Sequence, residues 1–113
     1  MSDAGTLATT AQVLLSLGEN AGTNQILEAN TNYAILQAES LISSLVDYDL
    51  VTNYATFTAY QKQALALCAS SKAAMILINQ NQNSWGLATA QSKLNVLDSL
   101  YKESIEIIKN LTE

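Results

Sequence analysis

The sequence contains no histidine, no arginine and no proline in its 113 residues. Histidine is the commonest general base and a frequent metal ligand, because its ordinary pKa lies near neutrality. Arginine is the usual bidentate partner of phosphate and carboxylate groups. Without both residues, the ordinary routes to hydrolysis, phosphoryl transfer, zinc binding and nucleic-acid recognition are missing. The sequence therefore predicts a protein that is not an enzyme, uses no cofactor or metal, and acts through its surface.

Charged residues are also scarce, at 13% of the chain, which is about half the usual share. Five lysines against ten carboxylates give a net charge of −5, and the lysines are scattered along the sequence. Binding to a nucleic-acid backbone or to an anionic membrane would meet net repulsion. Asn, Gln, Ser and Thr fill the other polar positions. A neutral polar surface suits a component of an assembly, and a compositional bias of the source explains it about equally well.

Cysteine occurs once, as Cys68, so no intrachain disulfide is possible. It lies in the apolar run 65–69, where a buried and inert thiol is a better interpretation than a nucleophile. The most apolar stretch, 64–78, is shorter than the roughly 20 residues that span a bilayer. It predicts a buried helix. The first residues lack the basic and apolar runs of a signal peptide.

Alanine and leucine dominate the apolar half of the chain, and with no proline this composition predicts an all-α fold. We expect one domain over residues 1–113, a four-helix bundle with a short first helix, two long core helices and a long amphipathic last helix. Capping boxes are predicted at Thr9 with Gln12 and at Thr58 with Gln61. The expected bounds are a first helix closed by Gly18, then Asn24–Val46, Thr58–Asn79 and Leu87–Leu111, with the main loop at 47–56.

Apolar spacing predicts which helix faces are buried. The second helix carries an unusually wide stripe, which implies contact with more than one neighbouring element. Residues 30–32 are poor helix formers, which allows a break or a frayed start there. The stripe comprises Ile26, Tyr33, Ala34, Ile35, Ala38, Leu41, Ile42, Leu45 and Val46. The third helix is apolar nearly all round and is the expected central helix. The narrow stripe of the last helix suits either a bundle or a partner subunit.

Few side chains offer chemistry. Asp47 and Asp49 form the densest acidic group, and a solvated loop is a better interpretation than a weak cation site. Glu39 is expected on the polar face of the second helix rather than as a buried catalytic acid. Lys72, inside the apolar third helix, is expected to extend to the surface or to contact a neighbouring chain.

Aromatic residues give better candidates for protein contact. Tyr48, Tyr54, Tyr60 and Trp85 all lie in or beside expected loops, where such side chains either cap the core or anchor an interface. The candidate interface residues also include three positions on the stripe of the last helix. These three are Tyr101, Ile105 and Ile108.

The order of elements resembles the head–tail connector (adaptor) proteins of tailed bacteriophages. The motifs that carry the likeness are a Thr-capped short helix, a long helix with an Ala-Glu pair, and an Ala-rich apolar helix. They read TTAQVLLSLG at 9–18, QAESLISSLVDYD at 37–49 and ALALCASSKAAMILI at 64–78. The family's chain is often less regular after the third helix than the long last helix expected here.

This resemblance implies a virion protein, assembled in the host cytoplasm. It would form a ring of twelve copies that docks beneath the portal, meets a tail-side connector protein and lines the DNA channel. No sequence-specific nucleic-acid binding and no membrane contact are expected. The alternative from another class is a helical regulatory or chaperone-like module that binds a protein partner.

Overall fold

Among the residues that this computed structural model describes, the regular structure consists of four α-helices and one turn of 3-10 helix at Tyr54–Thr56. The structure describes residues 4–17, 28–80 and 87–112. The helices are α1 (Thr10–Leu17), α2 (Glu28–Val46), α3 (Ala59–Gln80) and α4 (Leu87–Thr112). The described residues contain no β-strand. The predicted all-α class and the number of helices are confirmed.

Both predicted capping boxes are present. The Gln12 amide N–H donates to Thr9 Oγ1 at 3.1 Å, and the Thr9 N–H donates to Gln12 Oε1 at 2.8 Å. Thr58 and Gln61 make the same reciprocal pair at 3.4 and 2.8 Å before α3. Each box satisfies two backbone donors that the first helical turn leaves free. The local sequence therefore sets where α1 and α3 begin.

Helix α2 runs without a break through residues 30–32, where the sequence allowed a break or a frayed start. Thr31 is fully buried, so packing outweighs the low helix propensity of this segment. The helix ends at Asp47, which has a left-handed φ of 54°, and the Tyr48 N–H donates to the Ser43 carbonyl at 3.1 Å. This is a Schellman-type end in which aspartate stands where glycine is usual. Gly18 and the expected start of α2 at 24–27 lie outside the described residues.

Helix α3 packs against the other three helices. Its buried side chains surround the helix axis, as predicted for the central helix. They are Leu65, Cys68, Ala69, Ser70, Ser71, Ala73, Ala74, Met75, Leu77 and Ile78. The many alanines and serines allow the neighbouring helices to approach closely.

The apolar core has two clusters. The first joins all four helices and is centred on Val13, Ile35, Ala74, Ile78 and Leu97. The second joins the N-terminal segment, the end of α2, the loop after it, α3 and α4. Its members are Leu7, Ala8, Ile42, Leu50, Leu65, Cys68, Ala69, Ile105 and Ile108. Tyr101 on α4 packs against both clusters.

The segment before α1 is fixed across α2 by a buried glutamate. Glu39 Oε2 accepts the backbone N–H groups of Thr6 at 2.6 Å and Leu7 at 2.5 Å. At Gly5, a Cβ atom would overlap the Ile35 side chain and lie 3.2 Å from Glu39 Oε2, so only glycine allows this close approach. The prediction of a polar-face Glu39 is wrong, because this side chain is only 4% exposed.

Candidate interaction surfaces

Helix α2 presents a second apolar face that the described chain does not cover. Ala34, Ile35, Ala38 and Ile42 point into the core and are fully buried. Another set of large apolar side chains on the same helix is 44–57% exposed. The set comprises Tyr33, Leu36, Leu41 and Leu45. We call Tyr33, Leu36 and Leu41 the α2 face, since Leu45 lies about 180° around the helix from Leu36. The prediction of a single stripe is therefore wrong for Tyr33, Leu41 and Leu45, which are exposed.

The centre of the α2 face is a shallow depression of about 440 Å³ next to α3. It is lined by Leu36, Gln37, Ser40, Leu41 and Ile76. From residue 29 to residue 46 the only charged side chain is that of Glu39, which is buried. The α2 face is thus mainly apolar, includes the neutral polar groups of Gln37 and Ser40, and carries no charge.

A second concave surface lies between the N-terminal segment, α1 and α3, with a volume of about 500 Å³. We call it the α1–α3 groove. Leu15, which is 83% exposed, and Leu67 are its exposed apolar residues, and Lys62 is the only charged residue among the described residues that line it. The Lys62 ammonium lies 4.9 Å from the centre of the Tyr54 ring, a favourable cation–π distance.

The aromatic interface candidates fall into different environments. Tyr60 is strongly exposed, whereas Tyr48 is partly exposed and packs edge-on against Phe57 with ring centres 6.5 Å apart. Tyr54 and Tyr101 are half-buried and pack against the core clusters. Trp85 lies outside the described residues. The structure therefore does not gather these side chains into one surface.

The structure places Ile105 and Ile108 inside the second core cluster, where they contact this chain's own residues. The stripe of α4 was expected to pack either in a bundle or on a partner subunit. At Ile105 and Ile108 it packs on other elements of the same chain. Helix α4 instead exposes Val96 and Ile107, which sequence reasoning missed. A second apolar spacing along α4, offset from the stripe, was the signal for them.

The acidic loop is solvent-exposed. Asp49 Oδ1 accepts the Thr52 N–H at 3.0 Å and Asp49 Oδ2 accepts the Thr52 hydroxyl at 2.7 Å. These hydrogen bonds hold the pKa of the Asp49 carboxyl below its ordinary value. The Asp49 side chain therefore stabilises the turn at 49–53. In the described parts of the chain, no three His, Cys, Asp or Glu side chains come close enough to hold a metal ion.

Cys68 and Lys72 both lie on the side of α3 that meets α4. Burial raises the pKa of the Cys68 thiol to about 11, although the Ser104 hydroxyl and the Lys72 charge act in the opposite direction. The Lys72 ammonium lies 5.2 Å from the centre of the Tyr101 ring. Burial also raises the pKa of the Tyr101 hydroxyl, with smaller contributions from Cys68 and Asp98. The thiol is buried as predicted, and Lys72 contacts an aromatic ring of its own chain.

We expect Cys68 to be unreactive in the folded protein. At pH 8 a thiol with a pKa of about 11 is almost wholly protonated, and the burial of Cys68 also blocks reagent access. Modification by a disulfide reagent should be on the order of 100-fold slower in native buffer than in denaturing urea. The absorbance of the released thiolate measures both rates. Equal rates in the two conditions would contradict the buried position.

No protein-family model, no curated protein and no solved structure matches the chain. No helix among the described residues is long and apolar enough to cross a membrane.

Proposed function

We propose that the chain is a structural, non-catalytic protein that works within an assembly. Specifically, we propose a head–tail adaptor whose four helices pack as one bundle and whose copies form a ring between the portal and the tail of a tailed bacteriophage. The observation that carries the proposal is the uncovered and uncharged α2 face. The sequence resemblance adds the identity of the assembly.

The α2 face supports contact with another protein on energetic grounds. Leu36 and Leu41 both line the depression beside α3, and each is about half exposed. Covering a half-exposed leucine contributes about 1 kcal/mol, and contiguous exposed apolar surface marks protein contact sites. A partner that covers both leucines therefore gains stabilisation without any rearrangement of the core.

The absence of charge defines the partner's chemistry. A partner that placed a charged group on the α2 face would bury that charge without a counter-ion, which costs several kcal/mol. The face therefore suits a mainly apolar, uncharged surface that also carries hydroxyl or amide groups. Gln37, Ser40 and Ser44 provide matching hydrogen-bonding groups on this side. Under the adaptor proposal this partner is the portal protein.

The test is to measure the mass of the assembly by light scattering and native mass spectrometry, with and without the portal protein of the same genome. We expect wild-type chain to form a defined ring, alone or on the portal. Leu41→Glu places a charge in the centre of the α2 face and should weaken portal binding at least about tenfold. Asn95→Glu adds the same charge at an exposed position of α4 and should bind as wild type does.

A stable monomer or dimer that never assembles, even with the portal present, would overturn the adaptor proposal. A monomer that binds one copy of a different protein through the α2 face would support the regulatory or chaperone-like alternative instead. Equal binding by Leu41→Glu and wild-type chain would show that the α2 face is not the contact.

A further inference from the structure

Lys62 and Glu103 are surface charges of opposite sign, and neither has an ion-pair partner within the described residues. By contrast, Lys102 lies 2.9 Å from Asp98 and Lys109 lies 3.9 Å from Glu106 on α4. Lys62 contacts the neutral ring of Tyr54, and no described carboxylate lies within ion-pair distance of its ammonium. Glu103 is exposed on α4 and also lies beyond ion-pair distance of any described lysine.

Lys62 lies in a groove lined by apolar and neutral polar side chains. It is the one charged residue among the described residues that line the α1–α3 groove, and no acidic side chain is among them. Leu15 and Leu67 expose apolar surface beside it. In a chain of net charge −5, the groove is thus a region of positive sign with exposed apolar side chains beside the lysine.

Glu103 carries the opposite charge to Lys62 and lies in a row of apolar side chains on α4. Val96, Leu100, Glu103 and Ile107 are spaced at four, three and four residues, which places them along one side of α4. Val96 and Ile107 are exposed, and Leu100 is half-buried. We call these four residues the α4 row. It presents three apolar side chains with one carboxylate between them.

The groove and α4 lie on opposite sides of the molecule. Ala66 and Ser70 of α3 line the groove, whereas the Cys68 thiol interacts with Ser104 of α4. At 100° per residue, position 68 lies about 160° from both 66 and 70 around the helix axis. Helix α4 therefore lies across α3 from the groove, and the α4 row of one chain cannot reach its own groove.

We infer that copies of this chain associate head to tail, with the α4 row of one copy seated in the α1–α3 groove of the next. Glu103 then pairs with Lys62 of the neighbouring copy, and the apolar side chains on either side cover each other. A contact between two different surfaces of identical subunits builds closed rings or filaments. This inference rests on the proposed self-assembly and supplies the contact that joins the copies.

Charge reversal tests the contact directly. Lys62→Glu places two glutamates opposite each other, and Glu103→Lys places two lysines opposite each other. Each variant alone should self-associate at least about tenfold more weakly than wild type in sedimentation velocity. Both substitutions are on exposed or half-exposed side chains, so circular dichroism should show folded chains in each case.

Mixing the two variants identifies the pairing partner. When the two alternate in an equimolar mixture, every groove meets an α4 row of opposite charge. The groove of the Lys62→Glu chain faces the row of the Glu103→Lys chain, and at the next contact the unchanged Lys62 faces the unchanged Glu103. Association should therefore return to near the wild-type strength.

Asp98→Lys is the matched control for the position of the new lysine, because it makes the same charge change about 140° around α4 from Glu103. Introduced into the Lys62→Glu chain, Glu103→Lys should restore self-association, whereas Asp98→Lys should leave that chain dissociated. Recovery with both lysine variants, or with neither, would overturn the proposed pairing.

The outcomes separate this inference from the proposed function. If the charge-reversal variants assemble as wild type does while Leu41→Glu still loses the portal, the head-to-tail contact is wrong and the adaptor proposal stands. If the mixture restores self-association but no portal binding is found, the contact stands and the adaptor proposal fails. A wild-type chain that stays monomeric at its highest soluble concentration and on the portal overturns both.

Discussion

Ile105→Asp is expected to abolish folding. Ile105 is 5% exposed in the second core cluster. The substitution removes a buried aliphatic side chain, which costs about 2–5 kcal/mol, and adds an unpaired carboxylate in an apolar site. Together these losses reach the range of about 5–15 kcal/mol that stabilises a typical domain. Far-UV circular dichroism with a thermal melt would show a chain without a cooperative transition.

Ile107→Asp is the matched control for this prediction. It makes the same chemical change two residues further along α4, where the side chain is 48% exposed. This variant should keep its fold with a loss of about 1 kcal/mol or less, because the new carboxylate remains in water. If Ile105→Asp kept its fold and assembled normally, the buried side of α4 would be assigned incorrectly.

Glu39→Ala is expected to cost about 3–4 kcal/mol, because it leaves the Thr6 and Leu7 amide groups without their acceptor. Each buried donor that loses its partner costs about 1–3 kcal/mol. The N-terminal segment also carries Leu7 and Ala8 into the second core cluster, so its release weakens that cluster. Urea denaturation followed by circular dichroism measures the change in the free energy of unfolding.

Glu39→Gln separates the hydrogen bonds from the rest of the effect. Glutamine keeps an acceptor oxygen of nearly the same reach, so we expect it to lose less than half of the stability that alanine loses. Hydrogen exchange gives a local measurement, since the Thr6 and Leu7 amides should exchange faster in Glu39→Ala than in wild type. A Glu39→Ala variant within about 0.5 kcal/mol of wild type would contradict the anchoring role.

The helix starts could be predicted because their causes are local. Thr9 with Gln12 and Thr58 with Gln61 satisfy each other's backbone groups within one turn, so four residues of sequence are enough. The central position of α3 was also predictable, because a helix that is apolar all round is buried among neighbours.

The orientation of α2 could not be predicted, because both of its sides are apolar. Hydrophobic spacing alone gives one wide stripe, and only packing against α3 decides that Ile35 and Ile42 are buried while Leu41 and Leu45 are exposed. The prediction that Glu39 lies on the polar face of α2 was wrong for a related reason. Its spacing from Ile35, Ile42 and Val46 places it on the buried stripe, but an acidic side chain is seldom buried without a partner.

The candidate surfaces could not be predicted from the sequence, for a different reason. The α1–α3 groove joins residues near position 15 with residues near position 67, and their proximity depends on the packing of α1 against α3. From the sequence, surface contacts were expected at aromatic residues and at the stripe of α4, which is buried in the structure. The exposure of the α2 leucines, and the lack of an ion-pair partner for Lys62 and Glu103, depend on which residues pack next to them in the folded chain.

The position of Tyr101 has a consequence for how the protein unfolds. The Tyr101 side chain packs against both apolar clusters, and its ring also contacts the Lys72 ammonium on α3. Neither cluster can lose its contact with the middle of α4 without disturbing the other. The two halves of the core should therefore melt in a single all-or-none transition, and a calorimetric enthalpy equal to the van't Hoff value is its signature.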